Sequence, residues 1–301
     1  MENYRPISLV PVISKILEPC VLAGLRDHIS HLIIREQHGF LAGTYCLTRL
    51  TSVLHYIGGQ LDPGKQIDIT NLDMSKAFDK VDHTKLPGRL HQYGITGKLH
   101  DWFRSYLQWR KQQVTVLGAT SRELPVTSGV PQGSLLGPIL FLLLVDDLPN
   151  TVKTSRVAYY ADGTKIFKSI DAITDCNALQ SDLNDLVSWS ESSALISDQS
   201  KCKNQCFTSK KSFAQPTYII NKTPLESCDT KKDLGVWVSS NLNSDKQVTN
   251  SVRKPTNSSS LCAELLGTSK APKRVVHFMF LSSGAISATQ PKYGRQSPLA
   301  Y

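Results

Sequence analysis

No stretch of this sequence is apolar for long enough to cross a bilayer. The most hydrophobic run, Ile139 to Val145, has seven residues where about 20 are needed. The N-terminus, MENYRPISLVPVISKILEP, has no basic region ahead of an uninterrupted apolar segment, so it does not read as an export signal. A disulfide framework is missing as well. The seven cysteines, at 20, 46, 176, 202, 206, 228 and 262, are odd in number and scattered, which argues against a secreted disulfide scaffold and for a reducing compartment. Cys202 and Cys206 stand four apart without a second pair at zinc-like spacing, so all seven read as ordinary thiols. No internal repeat is found. These absences lead us to expect a soluble intracellular protein, nuclear or cytoplasmic, with no membrane partner.

What is present suits a globular chain: 301 residues, 40% of them hydrophobic and 20% charged, enough to bury one large core or two smaller ones. The formal charge of +9 favours an anionic partner such as nucleic acid. Most of that excess lies in the tail, because residues 251–301 hold seven Lys/Arg and one acid.

Apolar spacing predicts helices over Ile13–Leu25, Leu47–Ile57, Leu99–Leu107 and Ala172–Ser190, and a strand over Ile67–Leu72. A polar turn from Ser75 leads into a helix through Asp82, and Pro87 suits the first turn of the next one. Val114–Gly118 and Glu123–Thr127 read as the arms of a hairpin. A glycine- and proline-rich loop, Gly129–Gly137, opens onto the apolar helix Ile139–Val145. Further strands are expected at Gln205–Thr208, Thr217–Ile220 and Leu234–Val238, and beyond about residue 250 the periodicity dissolves. In YYADGTKIF, Asp162-Gly163 between β-prone runs signals a tight turn in which the glycine takes the positive φ.

Three segments place polar groups at structural corners: LDMSKAFDKVDH puts Asp73 at a strand end, SGVPQGSLLGP supplies a flexible loop, and YYADGTK puts Asp162 at a hairpin tip. Two carboxylates from separate strands that meet at one point offer Mg²⁺ hard oxygen ligands, leaving the remaining positions to water and phosphates. Such metals activate an attacking hydroxyl and stabilise a pyrophosphate leaving group. For Asp73 the competing role is a helix cap, and for Phe78 plain core packing. Lys201 by default is a surface lysine, and Asp79 and Asp82 belong on a solvated or helix-N-terminal face. VDDL, with Asp146 and Asp147, imitates a paired-aspartate motif but closes the apolar helix, where a solvated helix end is expected.

NYRPIS, QHGF, LDMSKAFDKVDH, YGITG, WFRSYL, SGVPQGSLLGPILF, YYADGTKIF and KDLGV, in this order, resemble the reverse transcriptase domain of a non-LTR (LINE-type) retrotransposon over roughly residues 3–250. The resemblance implies an α+β right-hand polymerase with an antiparallel palm sheet: partial fingers over 1–66, palm with inserted fingers helices and a primer-grip-like KDLGV hairpin over 67–250, and a degenerate thumb or disordered basic tail over 251–301. It also implies RNA-directed DNA polymerisation from dNTPs onto a primer 3′-hydroxyl, with RNA template and DNA primer as partners and Mg²⁺ or Mn²⁺ as cofactor; the oligomeric state is left open. Asp73 and Asp162 are similar to the metal-binding catalytic aspartates. Phe78 resembles the aromatic gate under the incoming sugar. Gln132, Gly133 and Ser134 resemble the template and nucleotide loop, Lys201 the lysine near the triphosphate, and Arg5 a retained nucleotide-binding arginine.

The copy departs from the pattern at three places. Gly163 stands where active relatives have a second aspartate, Leu41 and Thr44 replace arginines, and the tail does not resemble a thumb. Each lost electrostatic stabiliser costs on the order of a hundred- to a thousandfold in rate. Because the sequence starts almost at the first motif, the endonuclease that such elements usually place upstream is not expected in it. The expectation is a truncated, degenerate copy of impaired activity, and the alternatives are a non-catalytic nucleic-acid-binding remnant and an unstable pseudogene product.

Overall fold

The computed structural model describes residues 7–195, 198–210 and 212–243; Arg5 and the tail over 251–301 lie outside the described residues. Helices α1 (Val12–Ile29) and α2 (Cys46–Leu61) extend the two segments expected first. Strand β1 (Gln66–Asp73) is buried along its length except at its last residue, Asp73, which is half-buried. The helix expected from Ser75 is reduced to one 3-10 turn, Ala77–Lys80. Lys76 is left-handed (φ 50°), and the carbonyls of Phe78 and Val81 accept from Val130 and Gly129 of a facing loop instead of continuing a helix.

Helix α3 (Leu86–Gln92) has Pro87 in its first turn, as expected, and α4 (Gly97–Leu107) follows. A ribbon then leaves the body: β2 (Lys111–Gln112), β3 (Thr115–Val116), β4 (Ala119–Thr120) and β5 (Leu124–Pro125), with β2 on β5 and β3 on β4. Its turn falls on Leu117 and Gly118, both at positive φ (49° and 83°), so the segment expected as one arm contains the turn itself.

Helix α5 (Leu136–Val145) is buried on nearly all sides. Its first turn is satisfied by side chains from outside: Ser134 Oγ accepts from Gly137 N (2.9 Å), and Glu18 Oε2 of α1 accepts from Leu135 N (2.7 Å). Strands β6 (Arg156–Tyr160) and β7 (Gly163–Ile170) form the next hairpin, and α6 (Ile173–Ser192) matches its expected span. The rest comprises β8 (Lys203–Phe207), β9 (Ile219–Ile220), β10 (Thr223–Pro224), β11 (Glu226–Ser227), β12 (Thr230–Asp233) and β13 (Val236–Ser239). Leu234 and Gly235 make the turn between β12 and β13, at φ 46° and 93°, which shortens the strand expected from Leu234.

The main sheet runs β11-β8-β1-β7-β6, with β1 at its centre and antiparallel to both neighbours; only the edge strand β11 pairs in parallel. Period-two alternation sends Ile67 and Ile69, with Phe167 and Phe207, onto Leu50, Val53, Leu54 and Ile57 of α2. The opposite face, with Leu72 and Ile166, packs on α5 and α6 through Leu140, Leu143, Leu179 and Leu183. Each such side chain contributes about 1.5–3 kcal/mol when fully buried. The sheet is therefore packed on both faces. Among the described residues no helix is long and apolar enough to cross a membrane.

Candidate functional site

Strand register brings two of the expected aspartates to one corner. Asp73, the last residue of β1, lies directly opposite Gly163, the first of β7, and Asp162 is the turn residue just before Gly163. Tyr160 pairs with Gly163, so the two-residue loop is Ala161-Asp162 and not Asp162-Gly163. The positive φ accordingly falls on Ala161 (56°), which corrects the expectation that the glycine takes it. The cause is long-range: the β1 ladder extends to Asp73 and claims Gly163 as a strand residue, which displaces the turn by one position.

A left-handed alanine costs roughly 1–2 kcal/mol, and its surroundings hold it there. Ala161 N donates to Gln37 Oε1 (3.2 Å), while His38 N donates to Tyr159 O and Tyr159 N to Glu36 O. A side chain at Gly39 would put its Cβ 2.5 Å from Ala161 N, so only glycine lets this segment reach the turn. QHGF is thus a brace for the hairpin tip.

One face of the β1–β7 pair grades from apolar to charged. Ile69 pairs with Phe167, then Asn71 with Lys165, then Asp73 with Gly163. Lys165 Nζ donates to Asn71 Oδ1 (2.6 Å) and lies 3.0 Å from Asp233 Oδ2, in the KDLG segment. Arg49 of α2, 2% exposed, reaches Asp233 Oδ1 at 3.4 Å and donates to the carbonyls of Ala158 (2.9 Å) and Gly163 (3.3 Å). Burial lowers the Lys165 pKa to about 8, against the opposing pull of Asp233, and burial likewise lowers that of Arg49. Asp233 is held below the usual carboxylate range because Lys165 and Arg49 outweigh its desolvation. Two cations thus share one anion directly behind the hairpin. Sequence reasoning missed all three, since each side chain is unremarkable in its own segment.

Lys201 sits at the same corner: its Nζ is 3.8 Å from Asp73 Oδ1 and 2.9 Å from Asp198 Oδ2, and Asp198 N donates to Asp73 O. Phe78 stacks on Phe141 of α5 (4.6 Å between centroids) and meets Phe40 edge-on. The QGS loop is anchored to the turn that carries Phe78, because Gln132 Nε2 donates to Asp79 Oδ1 (2.8 Å) and Ser128 Oγ to Asp79 O. Asp79 is therefore engaged by the loop instead of solvated. Asp82, in contrast, accepts from Thr84 N ahead of α3, in the helix-start role expected of it. Gly133 is exposed at φ 107°, and Ser134 is buried with its hydroxyl committed to Pro131 O and Gly137 N.

Asp146, expected at a solvated helix end, is buried and accepts from Ile34 N and from Tyr93 OH, its pKa raised by desolvation. Asp147 pairs with Arg89 and accepts from Trp189 Nε1. Both are structural anchors. Thr44, at a position where the resemblance expects arginine, donates its hydroxyl to the carbonyls of His38 and Leu41.

As a donor set, Asp73 and Asp162 supply carboxylate oxygens that suit Mg²⁺ when phosphates complete its shell. Among the described residues no group of three or more His, Cys, Asp or Glu is placed to hold a metal. At position 163 a Cβ would meet only Tyr160 O, at 3.6 Å, which is ordinary van der Waals contact.

The family model described as reverse transcriptase (RNA-dependent DNA polymerase) matches residues 1–251. The chain is 31% identical over 254 residues to the probable RNA-directed DNA polymerase from transposon X-element of Drosophila melanogaster, covering 82% of this chain and 28% of that protein. It is 28% identical over 262 residues to the RNA-directed DNA polymerase from mobile element jockey of the same organism, covering 83% and 28%. The chain thus spans just over a quarter of the length of these relatives. Among solved structures, apo telomerase from Candida tropicalis aligns with a TM-score of 0.52 at 10% identity, over 88% of this chain and 44% of that one, which supports the fold.

Proposed function

The chain belongs to the reverse transcriptase (RNA-dependent DNA polymerase) family, and from that premise we propose that its β1–β7 corner is a nucleotidyl-transfer site, impaired by Gly163. The observation that carries this reading is the register that sets Asp73 opposite Gly163, beside Asp162. The substrates would be a dNTP and a primer 3′-hydroxyl on an RNA template. On this reading residues 1–66 are part of the fingers and 67–250 the palm.

Asp73 and Asp162 would hold Mg²⁺ or Mn²⁺, which supplies charge neutralisation at the phosphates and a more acidic attacking hydroxyl. Lys201, half-exposed beside Asp73, would contribute positive charge toward the triphosphate and its leaving group. Phe78, fixed between Phe141 and Phe40, would present a rigid edge to the incoming sugar. Gln132 and Gly133 would meet template and nucleotide. Ser134 acts through the loop's shape, because its hydroxyl is already committed to α5.

A second reading, a nucleic-acid-binding remnant without catalysis, is favoured by Gly163 alone. Primer extension on an RNA template with Mg²⁺ or Mn²⁺ separates the two. The proposal expects weak extension by the native chain, a gain with Gly163→Asp, and none with Asp73→Ala. Template binding without extension, even in Gly163→Asp, would establish the remnant instead.

A further inference from the structure

The ribbon β2–β5 has no packed face: every residue from 111 to 125 is exposed. Two-stranded ribbons are marginal in water without a surface to lean on, and this one shows Val114, Val116, Leu117 and Leu124 to solvent. At its base Trp109 is 94% exposed and held at φ 59°, an unusual setting for the largest side chain. The backbone beneath it is fixed, since Val126 N donates to Arg110 O (2.8 Å). Behind it Trp102 stacks on Tyr106 (5.4 Å, 23°) and the Arg110 guanidinium lies over the Tyr106 ring at 6.0 Å. A surface recess beside Trp109 is lined by Arg104, Ser105, Gln108 and Asp101.

Charge decides which partner this surface fits. From Trp102 to Arg122 the chain carries Arg104, Arg110, Lys111 and Arg122 and no acid. The flanking acids are partly engaged, Glu123 with Lys111 (3.4 Å) and Asp101 with His100 (3.9 Å). One exposed tryptophan, backed by the half-buried Trp102 and Tyr106 and flanked by an excess of cations, matches bases and phosphates together, because every base has a π-face to stack and every linkage a charge to neutralise. The ribbon also leads directly into the loop whose Gly129 and Val130 dock on the turn carrying Phe78. We propose that Trp109 and the basic ribbon at 110–122 form a platform for single-stranded nucleic acid, with Trp109 stacking a base and Arg110, Lys111 and Arg122 following the backbone. This rests on the nucleic-acid reading above and assigns that reading a second contact surface, apart from the Asp73 corner.

The test is binding of a labelled single-stranded RNA oligonucleotide to the full chain, followed by fluorescence anisotropy across a salt series. Trp109→Ala should weaken binding about tenfold while leaving the salt slope unchanged, and Trp109→Phe should retain most of the affinity. Arg122→Gln should instead flatten the salt slope by about 0.7. Binding by Trp109→Ala as tight as that of the native chain would overturn the platform while leaving the nucleic-acid reading standing. No binding by the native chain at low salt would overturn both. Folding of each variant is checked by its thermal transition, which an exposed side chain should not shift.

Discussion

Asp73 and Gly163 face each other across the β1–β7 ladder, and the Cβ that Gly163 lacks would have only Tyr160 O, at 3.6 Å, for company. Gly163 is not at positive φ either. Position 163 therefore accepts a Cβ without rebuilding the hairpin.

Gly163→Asp is expected to fold with a thermal midpoint close to that of the native chain. The new carboxylate would share a strand face with Lys165, two residues and about 7 Å along. It would join a cluster in which Arg49 and Lys165 outnumber Asp233. Gly129→Ala should behave in the opposite way, because its Cβ would lie 2.8 Å from Asp79 O and its φ is 86°. A loss of at least about 1–2 kcal/mol is expected there, measurable by denaturant unfolding.

Within the buried cluster, the two partners of the Arg49–Asp233 pair are not equivalent. Asp233→Asn strands two buried cations and should cost about 3–5 kcal/mol. Arg49→Met leaves Lys165 with its anion and forfeits chiefly the hydrogen bonds to Ala158 O and Gly163 O, about 1–3 kcal/mol. Equal destabilisation of the two variants, or the reverse order, would show that the cluster is not short of negative charge.

Stability should also depend on pH through Lys165. Burial lowers its pKa to about 8, whereas an unfolded lysine titrates near 10.4. Between those values the unfolded chain binds more protons than the folded one, so the contribution of Lys165 to stability rises with pH. Below about pH 8 both states are protonated and the full cost of the buried charge remains. Relative to Lys165→Met, the native chain should gain stability from about pH 7 to about pH 9.5, read as the difference in unfolding midpoints.

The elements that position the corner are legible in the sequence where one local pattern dominates. The apolar run at 139–145, the strand before Asp73 and the amphipathic period of α6 all appear where their spacing puts them. What escaped depends on residues far apart in the chain. Asp162-Gly163 is a strong local turn signal, yet pairing with Asp73, 90 residues earlier, shifts the turn onto Ala161. Arg49 and Asp233 are 184 positions apart, and neither segment advertises a buried charge. Asp146 reads as a helix end, and only the arrival of Ile34 and Tyr93 makes it a buried anchor.

In the proposed function Asp73 and Asp162 hold the metal, and an acid at position 163 would add a further ligand. The most direct measurement is Mn²⁺ binding, followed by electron paramagnetic resonance, in the native chain, Gly163→Asp, and Gly163→Asp combined with Asp73→Ala. The account predicts weak binding by the native chain, at least tenfold tighter binding with Gly163→Asp, and loss of that gain when Asp73 is removed. Tighter binding that persists without Asp73, or no gain from the added carboxylate, would contradict it.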